Sequence, residues 1–279
     1  MRLGGLIFGS WRSPEEWAAL AVKAGYGAVY FPVDYTAPQS EIDGYVRAAR
    51  DRGLLIAETG AWSNPLDPDP ARAAEALAKM KGQLELADYV EARCCVNISG
   101  SCSTVWDGPH RDNLTEATFE RIVRVTQDLL DAVRPQRTYY ALEPMPWAYP
   151  DSADSYLRLL EAVGRERFGV HFDPVNVVSS PQLYYGNAAM LHEWFDKLGP
   201  HIRSCHAKDI TLSDELTVHL SECRPGLGNL DYRTFLTRLA ALPDDVPLML
   251  EHMTEEEDYA EGTRYLKRVA EEVGVKFEV

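Results

Sequence analysis

Four residues of the kinds that hold metals and move protons follow one another through the second half of the chain: Glu143, Asp173, His206 and Glu251. Each closes a short run of strand character. Tyr139-Tyr140-Ala141-Leu142 precedes Glu143, Phe168-Gly169-Val170-His171-Phe172 precedes Asp173, Ile202-Arg203-Ser204-Cys205 precedes His206, and Pro247-Leu248-Met249-Leu250 precedes Glu251. A single strand-end acid is ordinarily a helix N-cap. Here the separations are 30, 33 and 45 residues, and a strand, a helix and two connections take roughly 30 or more. Each candidate therefore closes one βα unit, and in a parallel barrel such residues converge on the C-terminal mouth. Two Glu, one Asp and one His supply hard oxygen donors and one imidazole, which suits Mn2+, Mg2+ or Co2+ and tolerates Zn2+. Three carboxylates gathered without a cation would repel and raise one another's pKa, so one divalent metal ion is expected rather than a purely structural hydrogen-bond cluster.

Around these four stand candidates for substrate contact. His171 shares the face of Asp173 one layer deeper, where a partner backing a metal ligand would sit. Lys208 has the parity of His206 and reaches the mouth, able to bind a substrate oxygen or form a Schiff base. Glu58 lies on the third predicted strand. Trp11, Trp62, Trp106, Trp147, Tyr184 and Tyr185 fall in loops after strands, where an apolar sugar face could stack. His219, Glu222 and Arg224 lie in the longest irregular stretch, roughly 209–231, read as a hairpin and turn over the mouth.

The positioning elements follow from periodicity and caps. Strands are predicted over 2–9, 28–33, 54–59, 93–99, 139–143, 168–173, 202–206 and 246–251. Helices are predicted from 13 to 24, 40–52, 71–87, 115–133, 151–163, 188–198, 232–242 and 255–273, with 179–187 as a loop. Ser13-Pro14-Glu15-Glu16 is a helix start with cap, first-turn proline and acids against the dipole. Eight strands alternating with eight helices and no linker predict a single (β/α)8 TIM barrel over 1–279. An open doubly wound sheet is disfavoured, because Gly9-Ser10-Trp11-Arg12 after the first strand carries no glycine-rich phosphate fingerprint.

Composition narrows the partners. Lys and Arg number 28 against 43 Asp and Glu, a net charge of -15 that repels a phosphate backbone, so no nucleic-acid partner is expected. No apolar run is long enough to cross a bilayer, and the apolar start at 3–8 is too short for a secretory leader. The five cysteines, 94, 95, 102, 205 and 223, show no CxxC spacing, and free thiols in a reducing cytoplasm are expected.

Leu142-Glu143-Pro144, Phe172-Asp173-Pro174-Val175-Asn176, His206-Ala207-Lys208-Asp209, Pro225-Gly226-Leu227-Gly228 and Leu250-Glu251 together resemble the xylose-isomerase-like sugar isomerases and epimerases over nearly the whole chain. The resemblance implies a divalent metal, often manganese, on Glu143, Asp173, His206 and Glu251, with both glutamates transferring protons. It also implies a homodimer or homotetramer. Where such proteins often carry a histidine three residues after the aspartate, this chain has Asn176, which speaks against a second metal there and leaves Asn176 as a substrate-contact candidate.

The function so implied is a metal-dependent sugar or keto-sugar epimerase or isomerase working through a metal-stabilised enediolate. Proton return from the opposite face gives an epimer; return to the adjacent carbon gives an aldose-ketose isomer. Three alternatives share the residues: a lyase or dehydratase acting on a keto-sugar or 3-keto-glycoside, a non-catalytic carbohydrate-binding barrel, and a Schiff-base aldolase through Lys208.

Overall fold

The computed structural model describes residues 1–242 and 245–278. Strands β1 (Arg2–Gly5), β2 (Ala28–Tyr30), β3 (Leu55–Gly60), β4 (Cys94–Asn97), β5 (Tyr139–Leu142), β6 (Phe168–Phe172), β7 (Ile202–Ala207) and a later strand, β10 (Pro247–Leu250), are parallel and close in the order β1-β10-β7-β6-β5-β4-β3-β2. Between β7 and β10 an antiparallel hairpin, β8 (Asp209–Leu212) and β9 (Leu220–Cys223), stands outside the barrel ladder. The expected barrel and hairpin are both present.

Helices α1 (Pro14–Lys23), α2 (Gln39–Asp51), α3 (Pro70–Val90), α4 (Glu116–Val133), α5 (Ala153–Val163), α6 (Pro181–Tyr185), α7 (Asn187–Leu198), α8 (Tyr232–Ala240) and α9 (Glu256–Glu272) connect the strands. Their starts follow the caps in the sequence. Ser13, Thr115 and Ser152 each accept the backbone N–H three residues on, which satisfies a donor the helix leaves open. The stretch 179–187, expected as a loop, instead contains α6, begun by the Ser180 cap and Pro181. Its aromatic run concealed the helix.

Alternation along the strands divides the core in two. Outward residues meet the helices: Phe172 stacks on Trp194 at 4.5 Å and 10°, with Phe195 and Phe235 at its edges. Truncating such a buried ring to alanine costs about 3–5 kcal/mol. Inward residues fill the lower barrel with small groups, Ala28 and Ala57 beside Met249, and Cys94 and Val96 beside Ala141. Above them the interior turns polar.

The barrel ladder ends earlier than expected, at Leu142, Phe172 and Leu250. Glu143, Asp173 and Glu251 therefore sit one residue past the last ladder position. There a side chain can turn in over the mouth.

Candidate active site

β10, β7, β6 and β5 are neighbours in the barrel, and they carry Glu251, His206, Asp173 and Glu143 respectively. One donor atom from each lies within 4.8 Å of all the others. His206 Nδ1 is 2.8 Å from Glu251 Oε2, 3.4 Å from Glu143 Oε1 and 3.9 Å from Asp173 Oδ2. Ligands of one ion lie at most about twice the metal–oxygen bond apart, roughly 4.2 Å, so this set needs only a slight contraction to hold one.

The buried charges call for a cation. Asp173 Oδ2 and Glu251 Oε1 are buried, and the Lys208 ammonium, 2.9 and 2.8 Å away, is the cation that faces both. Burial, reinforced by Glu251 and Glu143, pushes the Asp173 carboxyl up to about 8 in spite of the nearby Lys208 ammonium. Burial opposes a charged His206, yet the surrounding Glu251, Tyr30, Glu58 and Glu143 hold its ring well above the usual range. A divalent ion would relieve this crowding, and three carboxylates with one imidazole are a donor set for it.

Each donor is fixed from behind. Asp173 Oδ1 accepts the backbone N–H groups of Val175 at 2.8 Å and Asn176 at 3.2 Å, a turn imposed by the Asp-Pro step. Asn176 Nδ2 donates to Glu143 Oε1 at 2.8 Å, so Asn176 holds a candidate ligand. His206 Nε2 faces Glu58 Oε2 at 3.3 Å, which places a proton on Nε2 and turns Nδ1 toward the mouth.

Glu58 does not stand where a substrate contact was expected, and His171 takes the deeper place behind a candidate ligand that its strand parity implied, rather than a place at a substrate. Both are buried beneath His206, with His171 Nε2 3.3 Å from Glu58 Oε1 and the two imidazole rings 4.0 Å apart. A register shift explains the first case. Val29 pairs with Ile56 but Tyr30 with Glu58, so β3 gains one residue and Glu58 turns inward after the inward Ala57. A matching shift at β7, where Val170 pairs with Ile202 and His171 with Ser204, accompanies an inward Ser204 whose hydroxyl bonds Glu58 Oε1.

Lys208 is buried at the mouth, its Nζ 2.9 Å from Asp173 Oδ2 and 2.8 Å from both Glu251 Oε1 and Glu222 Oε1. Burial works against the ammonium, but the Asp173, Glu251, Glu143 and Glu222 carboxylates raise its pKa well above normal. The hairpin thus delivers Glu222 to the site. Glu222 Oε2 also meets His252 Nδ1 at 2.8 Å. His252 was missed in the sequence: it adopts a left-handed backbone, φ 58°, directly after Glu251, and that turn brings it in.

Two of the sequence motifs prove to be one structure. The Asp209 carboxylate accepts backbone N–H groups from Ile210 and Leu230 at 2.9 Å each, Gly226 at 2.9 Å and Gly228 at 3.1 Å, tying the hairpin base to the Pro225–Gly228 turn. A Cβ at Gly228 would collide with Asp209 and the Ile210 backbone. The Arg224 guanidinium lies 3.3 Å from Asp258 and 3.8 Å from Glu261 on α9, tying the hairpin base to that helix. His219 is exposed on the hairpin.

The aromatic candidates separate similarly. Trp11 is half-buried against the core and donates to Tyr45 Oη at 3.0 Å. Trp62, Trp106 and Trp147 stay exposed on the loops after β3, β4 and β5, while Tyr184 and Tyr185 pack edge to face on α6. The five cysteines are free, and among the described residues no helix is long and apolar enough to cross a membrane.

A family model described as xylose isomerase-like TIM barrel matches residues 18–269, and the chain belongs to that family. No curated protein sequence matches. Among solved structures, a xylose isomerase domain protein from Planctomyces limnophilus is similar at 19% identity and TM-score 0.69, covering 98% of this chain and 96% of its own. A xylose isomerase-like TIM barrel protein from Mycobacterium smegmatis in complex with magnesium aligns at 16% identity and TM-score 0.69, over 93% and 88% of the two chains. The 3-keto-D-glucoside 4-epimerase of E. coli aligns at 15% identity and TM-score 0.68, over 96% and 99%. These likenesses establish the fold.

Proposed function

We infer that this protein is a divalent-metal-dependent sugar or keto-sugar epimerase or isomerase, moving a proton on a carbon next to a carbonyl. The reading is carried by one observation: Glu143 and Glu251 stand on the outer two of four neighbouring strands, with Asp173 and His206 between them. A substrate held over the centre would have a carboxylate on either flank.

Glu143, Asp173, His206 and Glu251 would hold the ion, with Mn2+ expected and Mg2+, Co2+ or Zn2+ as alternatives. When bound, the ion would supply Lewis-acid stabilisation of negative charge developing on the substrate oxygens. The chain itself supplies the bases. Burial and Glu251 push Glu143 up, but His206 and Lys208 outweigh them; burial likewise raises Glu251, and His206 and Lys208 pull it well below the usual carboxylate range. Both glutamates are thus ionised and able to accept a proton. Asn176 orients Glu143, and Lys208 orients Glu251. An ammonium enclosed by three carboxylates speaks against Schiff-base chemistry, which needs a neutral amine.

The test is proton exchange. The Mn2+-loaded protein, incubated in D2O with free ketoses and 3-keto-glycosides, is expected to place deuterium on the carbon beside the carbonyl. Glu143→Gln and Glu251→Gln should each slow that exchange by about 10²–10⁴-fold. No exchange with any of these probes overturns the reading, and release of a fragment would reassign the site to elimination.

A further inference from the structure

We propose that the substrate is a glycoside or similar conjugate of a keto-sugar rather than a free monosaccharide, its second flat or apolar group lying on a tryptophan shelf beside the site. The proposal rests on the chemistry inferred above and names its substrate class. Trp62, Trp106 and Trp147 are 36%, 41% and 38% exposed on three consecutive barrel loops. Each offers a large, rigid ring face to a ligand.

The exposure is built rather than incidental. Asn64 Nδ2 donates to Ser101 O at 2.8 Å and its Oδ1 accepts Ser101 N–H at 2.9 Å, lashing the loop after β3 to the loop after β4. Buried Asn113 pins the latter loop, accepting Cys102 N–H at 2.9 Å and donating to Gly108 O at 3.2 Å. Trp147 Nε1 donates to Asp107 O at 2.7 Å, and Tyr149 Oη to Leu114 O at 3.3 Å, which joins the loop after β5. Three loops form one braced wall, and the Trp147 ring is held on it by its own hydrogen bond.

Position supports the same occupant. The Trp62 indole lies in the space a Gly60 side chain would fill, two residues along β3 from the inward Glu58, which sets Trp62 at the mouth. Trp147 already has its N–H satisfied and offers only its ring face. The other half of the mouth, over β7 and β10, carries Lys208, Glu222 and His252, groups that hydrogen-bond hydroxyls. The mouth is therefore divided: a polar half for the reacting ring and an aromatic half for what is attached to it.

The experiment compares D-fructose with phenyl 3-keto-β-D-glucopyranoside on the Mn2+-loaded full chain, following deuterium incorporation in wild type, Trp106→Ala and Trp147→Ala. The keto-glucoside is expected to have the higher kcat/KM, and each substitution should raise its KM relative to that of fructose by about 3–10-fold. Equal effects on both probes, or none, overturn the proposal while leaving the proton-transfer reading intact. Sedimentation velocity gives a further outcome: dissociation of an oligomer in Trp106→Ala with unchanged KM would make the shelf a subunit interface and overturn the proposal. If neither probe exchanges, the proton-transfer reading fails. The shelf is then read by tryptophan fluorescence with phenyl β-D-glucopyranoside, where quenching lost in both variants supports it and absence of quenching overturns it.

Discussion

Glu58 and His206 meet across the full width of the barrel, Oε2 to Nε2 at 3.3 Å, from strands four positions apart in a ring of eight. This contact decides which imidazole nitrogen is offered to an ion. Glu58→Gln keeps a hydrogen-bonding group beside Ser204 and His206 but removes the charge. Mn2+ affinity measured by calorimetry should fall about 10–100-fold, with the far-UV spectrum of the apoprotein unchanged.

The four-residue cluster predicts metal-linked stability. Mn2+ at a hundred times its Kd should stabilise the fold by about 2.7 kcal/mol, raising the Tm by about 4–5 °C in a chain of this size. Asp173→Asn should abolish that increment. Because protons compete for His206 and the carboxylates, the increment should shrink as pH falls, and binding should release protons in a buffer-dependent calorimetric titration.

Lys208 neutralises the same carboxylates that would bind the ion. Lys208→Met should destabilise the metal-free protein by about 3–5 kcal/mol in urea unfolding, since it leaves buried carboxylates unpaired. Added Mn2+ should recover part of that loss. An equal loss with and without Mn2+ would separate Lys208 from the metal site.

Asp209 predicts a local stability defect. Asp209→Ala removes the acceptor for four backbone donors at the hairpin base and should cost about 2–4 kcal/mol, read by chemical denaturation. Hydrogen exchange should accelerate at Gly226, Gly228 and Leu230 and stay slow in β4 and β5.

Much of the site was legible because strand-end residues in a repeating βα chain need only the count of units to be placed. Glu143, Asp173, His206 and Glu251 converge as their spacing requires. His171 takes the deeper place its parity with Asp173 implied, whereas roles for Glu58, Trp11 and Arg224 were not legible. Glu58 turns inward through an extra residue in β3, which strict alternation does not foresee. Trp11 and Arg224 are drawn to Tyr45 and to α9, partners distant in sequence. His252 carried only a weak signal, its place directly after a strand-end glutamate.

The sequence by itself determined the barrel, its eight units and the four residues at its mouth, because hydrophobic periodicity and helix caps are local and their order along the chain sets the topology. Tertiary structure alone decided which side chains stand over that mouth and which lie beneath it. Register shifts of one residue, a left-handed turn and hydrogen bonds across 17 to 148 positions of sequence place Glu58 under His206 and Glu222 over Lys208. Such contacts depend on strand register and on which residues face one another across the ring, and that is fixed only when the barrel closes.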